Sequence, residues 1–224
     1  MKLPCITLLA SLLIGGVTLG QAAHHKEDGF KPLFDGTSLD GWHVVGGTGE
    51  FKVDDGMIVG YGENVKGNTF LRTDRTYTDF DLRFSYKREH GNSGMMFRAL
   101  QKPGENGRVN GYQCEHGNKP ERAWSGGIYD EARRGWMQPH ATDPRAQAAF
   151  TKQGQRIIKH QQWNDVRILC KGNETKIWFS GELRVHFIDT DKTHNTLEGF
   201  FGLQVHSGEK SLVTWKNLRI KEPK

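Results

Sequence analysis

Residues 79–89 read DFDLRFSYKRE. Phe80, Leu82, Phe84 and Tyr86 alternate with Asp81, Arg83, Ser85 and Lys87. Successive side chains of an extended chain point to opposite faces, so a period of two makes one apolar face and one polar face. This is the pattern of an antiparallel strand with one face on a core and the other in water. The flanking segments repeat it. FKVDDGMIVGYG (51–62) sets two apolar runs about Asp55-Gly56, the residue pair of a tight hairpin turn. SGMMFRAL (93–100) follows a His90-Gly91-Asn92 turn, with Met95, Phe97 and Ala99 expected on one face and Met96, Arg98 and Leu100 on the other. WNDVRILCKGNETKIWFSGELRVHFID (163–189) reads as a three-strand meander turning at Lys171-Gly172-Asn173 and Ser180-Gly181. GFFGLQVHS (199–207) and LVTWKNLRIKE (212–222) are expected to pair as a closing hairpin. A helical pattern occurs only over about Asp143–Gln153, as a short helix in a loop. Many short, evenly spaced strands predict an all-β antiparallel sandwich or jelly roll.

The amino terminus, MKLPCITLLASLLIGGVTLGQAA, has a basic start, an apolar run from Ile6 to Leu19 and small residues at Gly20, Ala22 and Ala23. By pattern residues 1–23 are a secretory signal peptide, and the run is too short and wrongly flanked for a membrane span. Cys5 precedes the run, so it is not placed as a lipid anchor at the cleavage site. Residues 24–29 read as a flexible leader, whose His24-His25 pair is a frayed end rather than a metal site. Residues 30–224 are then expected to form a single domain, long enough for its own core. The protein is expected outside the cytoplasm, periplasmic or secreted, with no later membrane span. Cys114 and Cys170 remain, either as one disulfide or as two buried free thiols. The formal net charge is +5. Acids and bases are interspersed and no basic block carries interleaved aromatics, which argues against a nucleic-acid partner.

Polar residues concentrate in a few places. In GYQCEHG (111–117), Gln113 and Glu115 share one face of a strand, with Tyr112, Cys114 and His116 on the other. Arg98 ends an otherwise apolar strand. Gln204 and His206 oppose Phe201, Leu203 and Val205. AWSGGIYDEARRGWMQ (123–138) crowds Trp124, Tyr129, Asp130, Glu131, Arg133, Arg134 and Trp136 into a glycine-rich loop. Each set has a plain structural alternative: a solvated strand for Glu115, a local ion pair for Arg98, an internal salt-bridge network for the loop. Together they suit a sugar, because flat aromatics stack on its apolar faces while amides, acids and arginines read its hydroxyls. His116, Asp130, Glu131 and His206 are the available ligands for a divalent metal, but no short ligand spacing joins them, and no cofactor is expected. A structural calcium would suit such a fold, though no diagnostic loop is present.

A family resemblance rests on blocks occurring in order. FKPLFDGTSLDGW, FKVDDGMIVG, GNSGMMFR, GYQCEH, AWSGGIYDEARRGW, QQWNDVRILCKGNETKIWFSGELR and FGLQVHSG with VTWKNLRIKE together resemble the 3-keto-disaccharide hydrolase domain family, from about Phe30 to Glu222. The resemblance implies a concanavalin A-like jelly roll, export from a bacterial cell and a carbohydrate substrate. Glu115 falls at the acidic position of the family strand, where small or aliphatic residues are common in place of Cys114 and His116. The implied chemistry is cleavage of a glycoside already oxidised at C3, so an upstream sugar 3-dehydrogenase is implied as a pathway partner. The ketone acidifies the C2 proton. A base removes it, the enolate expels the aglycone from C1, and water adds to the double bond. Glu115 is the expected base and Arg98 or His206 the enolate stabiliser. Gln113 and Gln204 would orient hydroxyls, and Tyr129 or Glu131 would assist the leaving group. Trp124, Asp130, Arg133 and Trp136 complete the expected substrate-binding set. A non-catalytic carbohydrate-binding module, or a retaining glycosidase with paired carboxylates, is the alternative.

Overall fold

A computed structural model describes residues 29–104, 107–117 and 119–223. The expected signal segment and the His24-His25 pair lie outside the described residues. In chain order the strands are β1 (Lys31–Pro32), β2 (Trp42–Gly46), β3 (Glu50–Asp54), β4 (Met57–Val65) and β5 (Thr69–Thr73). Then come β6 (Phe80–His90), β7 (Ser93–Gln101), β8 (Val109–His116), β9 (Ile128–Glu131) and β10 (Gly135–Gln138). One helix, α1 (Pro144–Ile157), precedes β11 (Asn164–Lys171), β12 (Glu174–Phe179), β13 (Glu182–Ile188), β14 (Phe200–Val205) and β15 (Gly208–Lys221).

The strands form two antiparallel sheets packed as a sandwich, the jelly-roll type of fold that the pattern predicts. The first sheet runs β13-β12-β11-β6-β15-β4-β3, with β1 on β15; the second runs β10-β9-β8-β7-β14-β5-β2. β6 lies in the middle of the first sheet. Its Phe80, Leu82, Phe84 and Tyr86 are at most 2% exposed and share one core cluster with Met95, Phe97, Tyr112, Cys114 and Leu203 of the second sheet. Burying each such side chain contributes on the order of 1.5–3 kcal/mol. The β3–β4 turn takes positive φ at both Asp55 (47°) and Gly56 (70°), as a two-residue hairpin between right-twisted strands requires. The 163–189 meander forms as β11, β12 and β13.

Three expectations are corrected. The segments 199–207 and 212–222 do not pair with each other: β14 joins β5 and β7, whereas β15 joins β4 and β6. The chain crosses between sheets at Ser207-Gly208, because both strands fill central slots that no hairpin could supply. The helix runs on to Ile157. Asp143 caps it by accepting from Ala146 N at 2.9 Å, and Gly154, which weakens the helical pattern, is where the helix meets a neighbouring backbone: a Cβ there would stand 2.0 Å from Ala123 O. Third, β7 does not alternate evenly. Phe97 pairs Tyr112 and Leu100 pairs Asn110, while on the other side Met96 pairs Gly202 and Ala99 pairs Phe200. Two residues on β7 thus oppose one on each neighbour. This is a β-bulge, centred on Arg98 at φ 47°.

Cys114 and Cys170 are both buried and free. The disulfide alternative does not apply.

Candidate functional site

β8 sets the site. Tyr112 and Cys114 join the core between the sheets, and His116 stacks on Tyr86 of β6 at 3.7 Å. Alternation then puts Gln113 and Glu115 on the outer face of the second sheet. The neighbouring strands add to this face. Across β8, Met96 pairs Gln113 and Gly94 pairs Glu115; Tyr129 of β9 pairs Gln113 and Glu131 pairs Gly111. On β14, Phe201, Leu203 and Val205 fill the core side, leaving Gln204 with its backbone opposite Phe70. Phe70, Met96, Ala99, Val109 and Phe200 make a separate, smaller apolar cluster under this outer face. The three strands bearing the sequence-predicted polar groups are therefore adjacent, in the order β8-β7-β14.

Glu115 is 3% exposed. Its Oε2 accepts from Gln113 Nε2 at 2.9 Å. Burial pushes its carboxyl up; the hydrogen bonds from Gln113 and Asn92 and the charges of Arg122 and His206 pull the other way. Gly94 makes this pairing sterically feasible, since a Cβ there would lie 2.4 Å from Gln113 Cγ. Glu131 is raised as well, again mainly by burial, with Asn68, His206 and Arg108 opposing. Asn68 ties this corner together: its Nδ2 donates to Glu131 Oε1 at 3.3 Å, and its Oδ1 accepts from Ser207 N at 3.1 Å. His206 Nδ1 donates to the Ser207 carbonyl at 2.7 Å, which leaves Nε2 as its reactive nitrogen. The charge of His206 opposes the rise at both Glu115 and Glu131. Tyr129 stands beside both, and burial with their negative charges raises its hydroxyl, keeping it a neutral donor.

Several amide atoms on this face have no protein partner: Gln204 Oε1 and Nε2, Gln113 Oε1 and Asn92 Oδ1. A buried amide without a partner costs about 1–3 kcal/mol, so these atoms are poised for water or for a ligand's hydroxyls. An open groove of about 600 Å³ runs past Asn68, Phe70, Arg108, Glu131 and Ser207. At the other side Arg122 lies 4.8 Å over Trp124 and 4.9 Å over Trp136, and Tyr129 meets Trp136 edge-on at 5.3 Å.

Of the predicted residues, Gln113, Glu115, Tyr129, Glu131, Gln204 and His206 come together, with Trp124 and Trp136 nearby. Arg98 does not. The bulge turns it off the outer face, and it is 2% exposed. Its Nε donates to Thr78 O at 2.8 Å, its Nη1 to Gly172 O at 2.6 Å and its Nη2 to Asp79 at 2.9 Å. It is a structural anchor between the sheets. Asp130 and Arg133 are also elsewhere. Asp130 points to the inner side, fully buried, and receives Arg133 at 2.7 Å and Arg134 at 2.5 Å; Arg134 continues to Asp189 at 2.7 Å, which in turn accepts the Tyr112 hydroxyl. The internal salt-bridge alternative applies to these loop residues. His116 and Asp130 sit on the inner side, away from Glu131 and His206, so the four suggested metal ligands do not converge. Among the described residues no group of three His, Cys, Asp or Glu side chains is placed to hold a metal ion.

Asn68, Asn92, Arg108 and Arg122 were not singled out by the sequence. Asn92 lay within the quoted GNSGMMFR block, and Arg122 directly precedes AWSGG. Asn68 and Arg108 come from loops distant in the chain, with no local pattern to mark them.

A family model described as a 3-keto-alpha-glucoside-1,2-lyase-like domain matches residues 29–221. The chain belongs to this family. The likeness carried by the ordered sequence blocks is thus the family relationship itself, and the match spans both sheets of the sandwich. Among solved structures, a candidate glycosyl hydrolase from Parabacteroides distasonis ATCC 8503 is 19% identical, with a TM-score of 0.59 over 88% of this chain and 94% of that one. A Bacillus subtilis protein of unknown function with a galectin-like fold is 12% identical, with a TM-score of 0.55 over 86% of this chain and 94% of that one. At these identities the likeness establishes the fold that this family member shares with them. No curated protein matches the chain. Among the described residues no helix is long and apolar enough to cross a membrane.

Proposed function

We propose that this family member cleaves 3-keto-glycosides by elimination across C1 and C2 of the oxidised sugar. The reading is carried by one observation: two carboxyls raised by burial, Glu115 and Glu131, lie on one sheet face with unpartnered amides. Glu115 takes the C2 proton. The C–H electron pair forms a C2–C3 double bond, and charge moves to O3, where Arg122 offers a guanidinium. The C3 carbonyl then re-forms, the electron pair moves to C1–C2, and the C1–O bond breaks. The aglycone oxygen takes its proton from Glu131, whose raised proton affinity suits it as an acid, or from His206. Addition of water across the new double bond completes hydrolysis. Gln113 and Gln204 hold hydroxyls, and Trp136 with Tyr129 forms an aromatic border. The reading supposes export after loss of residues 1–23, and a dehydrogenase upstream to install the ketone.

The test measures product release from a 3-keto-glucoside and its unoxidised parent, each with and without chelator. Wild type is expected to cleave only the keto sugar. Glu115→Gln is expected to lose activity on every leaving group, whereas Glu131→Gln should recover on an activated nitrophenyl aglycone that needs no acid. Cleavage of the parent sugar would replace this reading by an ordinary glycosidase, and binding without turnover by a carbohydrate-binding module.

A further inference from the structure

Helix α1 joins the core through Phe150 and Ile157. Thr151, Gly154 and Gln155 lie on one face of it, because residues three and four apart are neighbours on a helix. All three meet residues 121–125, the segment that carries Arg122 and Trp124. Thr151 Oγ1 donates to Arg122 O at 2.9 Å and accepts from Trp124 Nε1 at 2.9 Å. The hydroxyl thus spends its single proton on the Arg122 backbone and a lone pair on the neighbouring indole. Gln155 Nε2 donates to Glu121 O at 3.2 Å. At Gly154 the helix comes so close to Ala123 O that no Cβ would fit. From β13, Arg184 Nη2 donates to Ala123 O at 3.0 Å and to Ser125 O at 3.2 Å, and its Nη1 donates to Phe150 O at 2.8 Å. One buried guanidinium therefore ties the segment to the helix. The segment needs such support: Ala123 has φ 49°, in the left-handed region that a residue with a Cβ seldom adopts. Beyond it the chain runs back onto β8 at Glu115 itself. Gly126 N donates to Glu115 O at 2.9 Å, and Glu115 N donates to Gly127 O at 3.0 Å.

We propose that Thr151 is a positioning residue for Arg122, so that helix α1 sets where this guanidinium stands relative to Glu115 and the charge developing on O3. The inference rests on the reading of Arg122 as the cation offered to O3. A cation stabilises developing charge best when it is already in place, since nothing then has to reorganise during the reaction. An arginine side chain has many rotamers to lose, so it must be held. Arg122 is held at both ends. Its guanidinium lies over Trp124 and Trp136, at 4.8 and 4.9 Å. Its carbonyl and the first of those rings both hang from the Thr151 hydroxyl. The Arg122 charge reaches Glu115, where it opposes the upward push of burial. Gln113, Asn92 and His206 oppose it too, but they belong to other parts of the fold and make no contact with α1.

The experiment titrates the Glu115 carboxyl by carbon NMR in the full chain, and measures kcat and KM on a 3-keto-glucoside. It compares wild type with Thr151→Val, Thr151→Ser, Arg122→Gln and the double variant Thr151→Val with Arg122→Gln. Thr151→Val keeps the side-chain shape and removes both hydrogen bonds. It should move the Glu115 titration upward and lower kcat about tenfold with KM unchanged, the cost of a displaced reacting group. Thr151→Ser should restore both. In the Arg122→Gln background Thr151→Val should change neither, because the guanidinium it places is gone. An unmoved Glu115 titration in Thr151→Val, or a kcat loss undiminished in the Arg122→Gln background, would overturn the proposal and leave Thr151 a support of the fold. The titration needs no turnover. It decides the positioning even where wild type leaves the keto sugar intact, an outcome that removes the cleavage reading instead. If Thr151→Val fails to fold, Gln155→Ala loosens the same segment at Glu121 from an exposed position and should move Glu115 the same way; no shift in that variant would equally overturn the proposal.

Discussion

The Glu115 carboxyl has an ordinary pKa of 4.5 that burial raises. A carboxyl that binds its proton more tightly when folded stabilises the fold while protonated. That contribution is full below the unfolded value and is lost as pH rises through the folded one. Glu115→Gln removes the loss. The variant should therefore melt at a higher temperature than wild type at pH 7–8, and at the same temperature near pH 4, while turnover of the keto sugar falls by about 10²–10⁴. Scanning calorimetry at both pH values checks the first part. A variant no more stable at pH 8 would show that the ionised carboxyl is not penalised. Arg98→Ala should behave oppositely. It leaves two carbonyls without this donor and Asp79 with the Gly172 N–H but no guanidinium, and should cost about 3 kcal/mol in denaturant unfolding, with kcat on folded protein unchanged. Glu115 was legible in the sequence because its strand alternates without interruption. Arg98 was misread because a non-glycine residue in the left-handed region carries no sequence mark, and the bulge changes which way it points.

At the scale of elements, the β9–β10 hairpin brings Tyr129, Glu131 and Trp136 to the site, and the buried Asp130 ion pairs fasten it from behind. Asp130→Asn should leave Arg133 and Arg134 undercompensated and cost about 3–5 kcal/mol. Hydrogen exchange of residues 128–138 should accelerate more than that of β6. Activity should fall through the hairpin although Asp130 touches no substrate. Uniform acceleration across both sheets would instead mean that the pairs support the whole fold. Strands such as β3–β4 and β11–β13 were legible from period and turn residues. The placement of β14 and β15 in different sheets was not, because two apolar runs beside a short turn look alike whether they pair with each other or with distant strands. Asp130 was placed with the substrate-binding residues because 123–138 reads as a loop; only once Ile128–Glu131 is a strand does alternation turn Asp130 away from Tyr129 and Glu131.

For the molecule as a whole, the core between the sheets holds two thiols beyond the reach of water. Burial pushes Cys170 up to about 11 and Cys114 higher still. Neither should react with a thiol reagent at pH 8 in the native protein, and both should react in denaturant. Reducing agent should leave the melting temperature unchanged. Rapid labelling of either in native protein would imply opening of the sandwich. The fold class was legible because nearly every segment has the same period of two. The site was legible only in part, since Asn68, Arg108 and Arg122 reach it from loops whose meeting is set by the closure of the sheets.

Counting parity along β7 has one further consequence. Met96 and Ala99 both point outward although they are three residues apart, an odd separation that regular strand geometry forbids. Remove residue 98 and the parity is restored: every remaining side chain of the strand keeps its side. Arg98 therefore behaves as an insertion that carries a tether, and a one-residue deletion there should be tolerated better than a one-residue deletion at Met95, which would turn half the strand inside out.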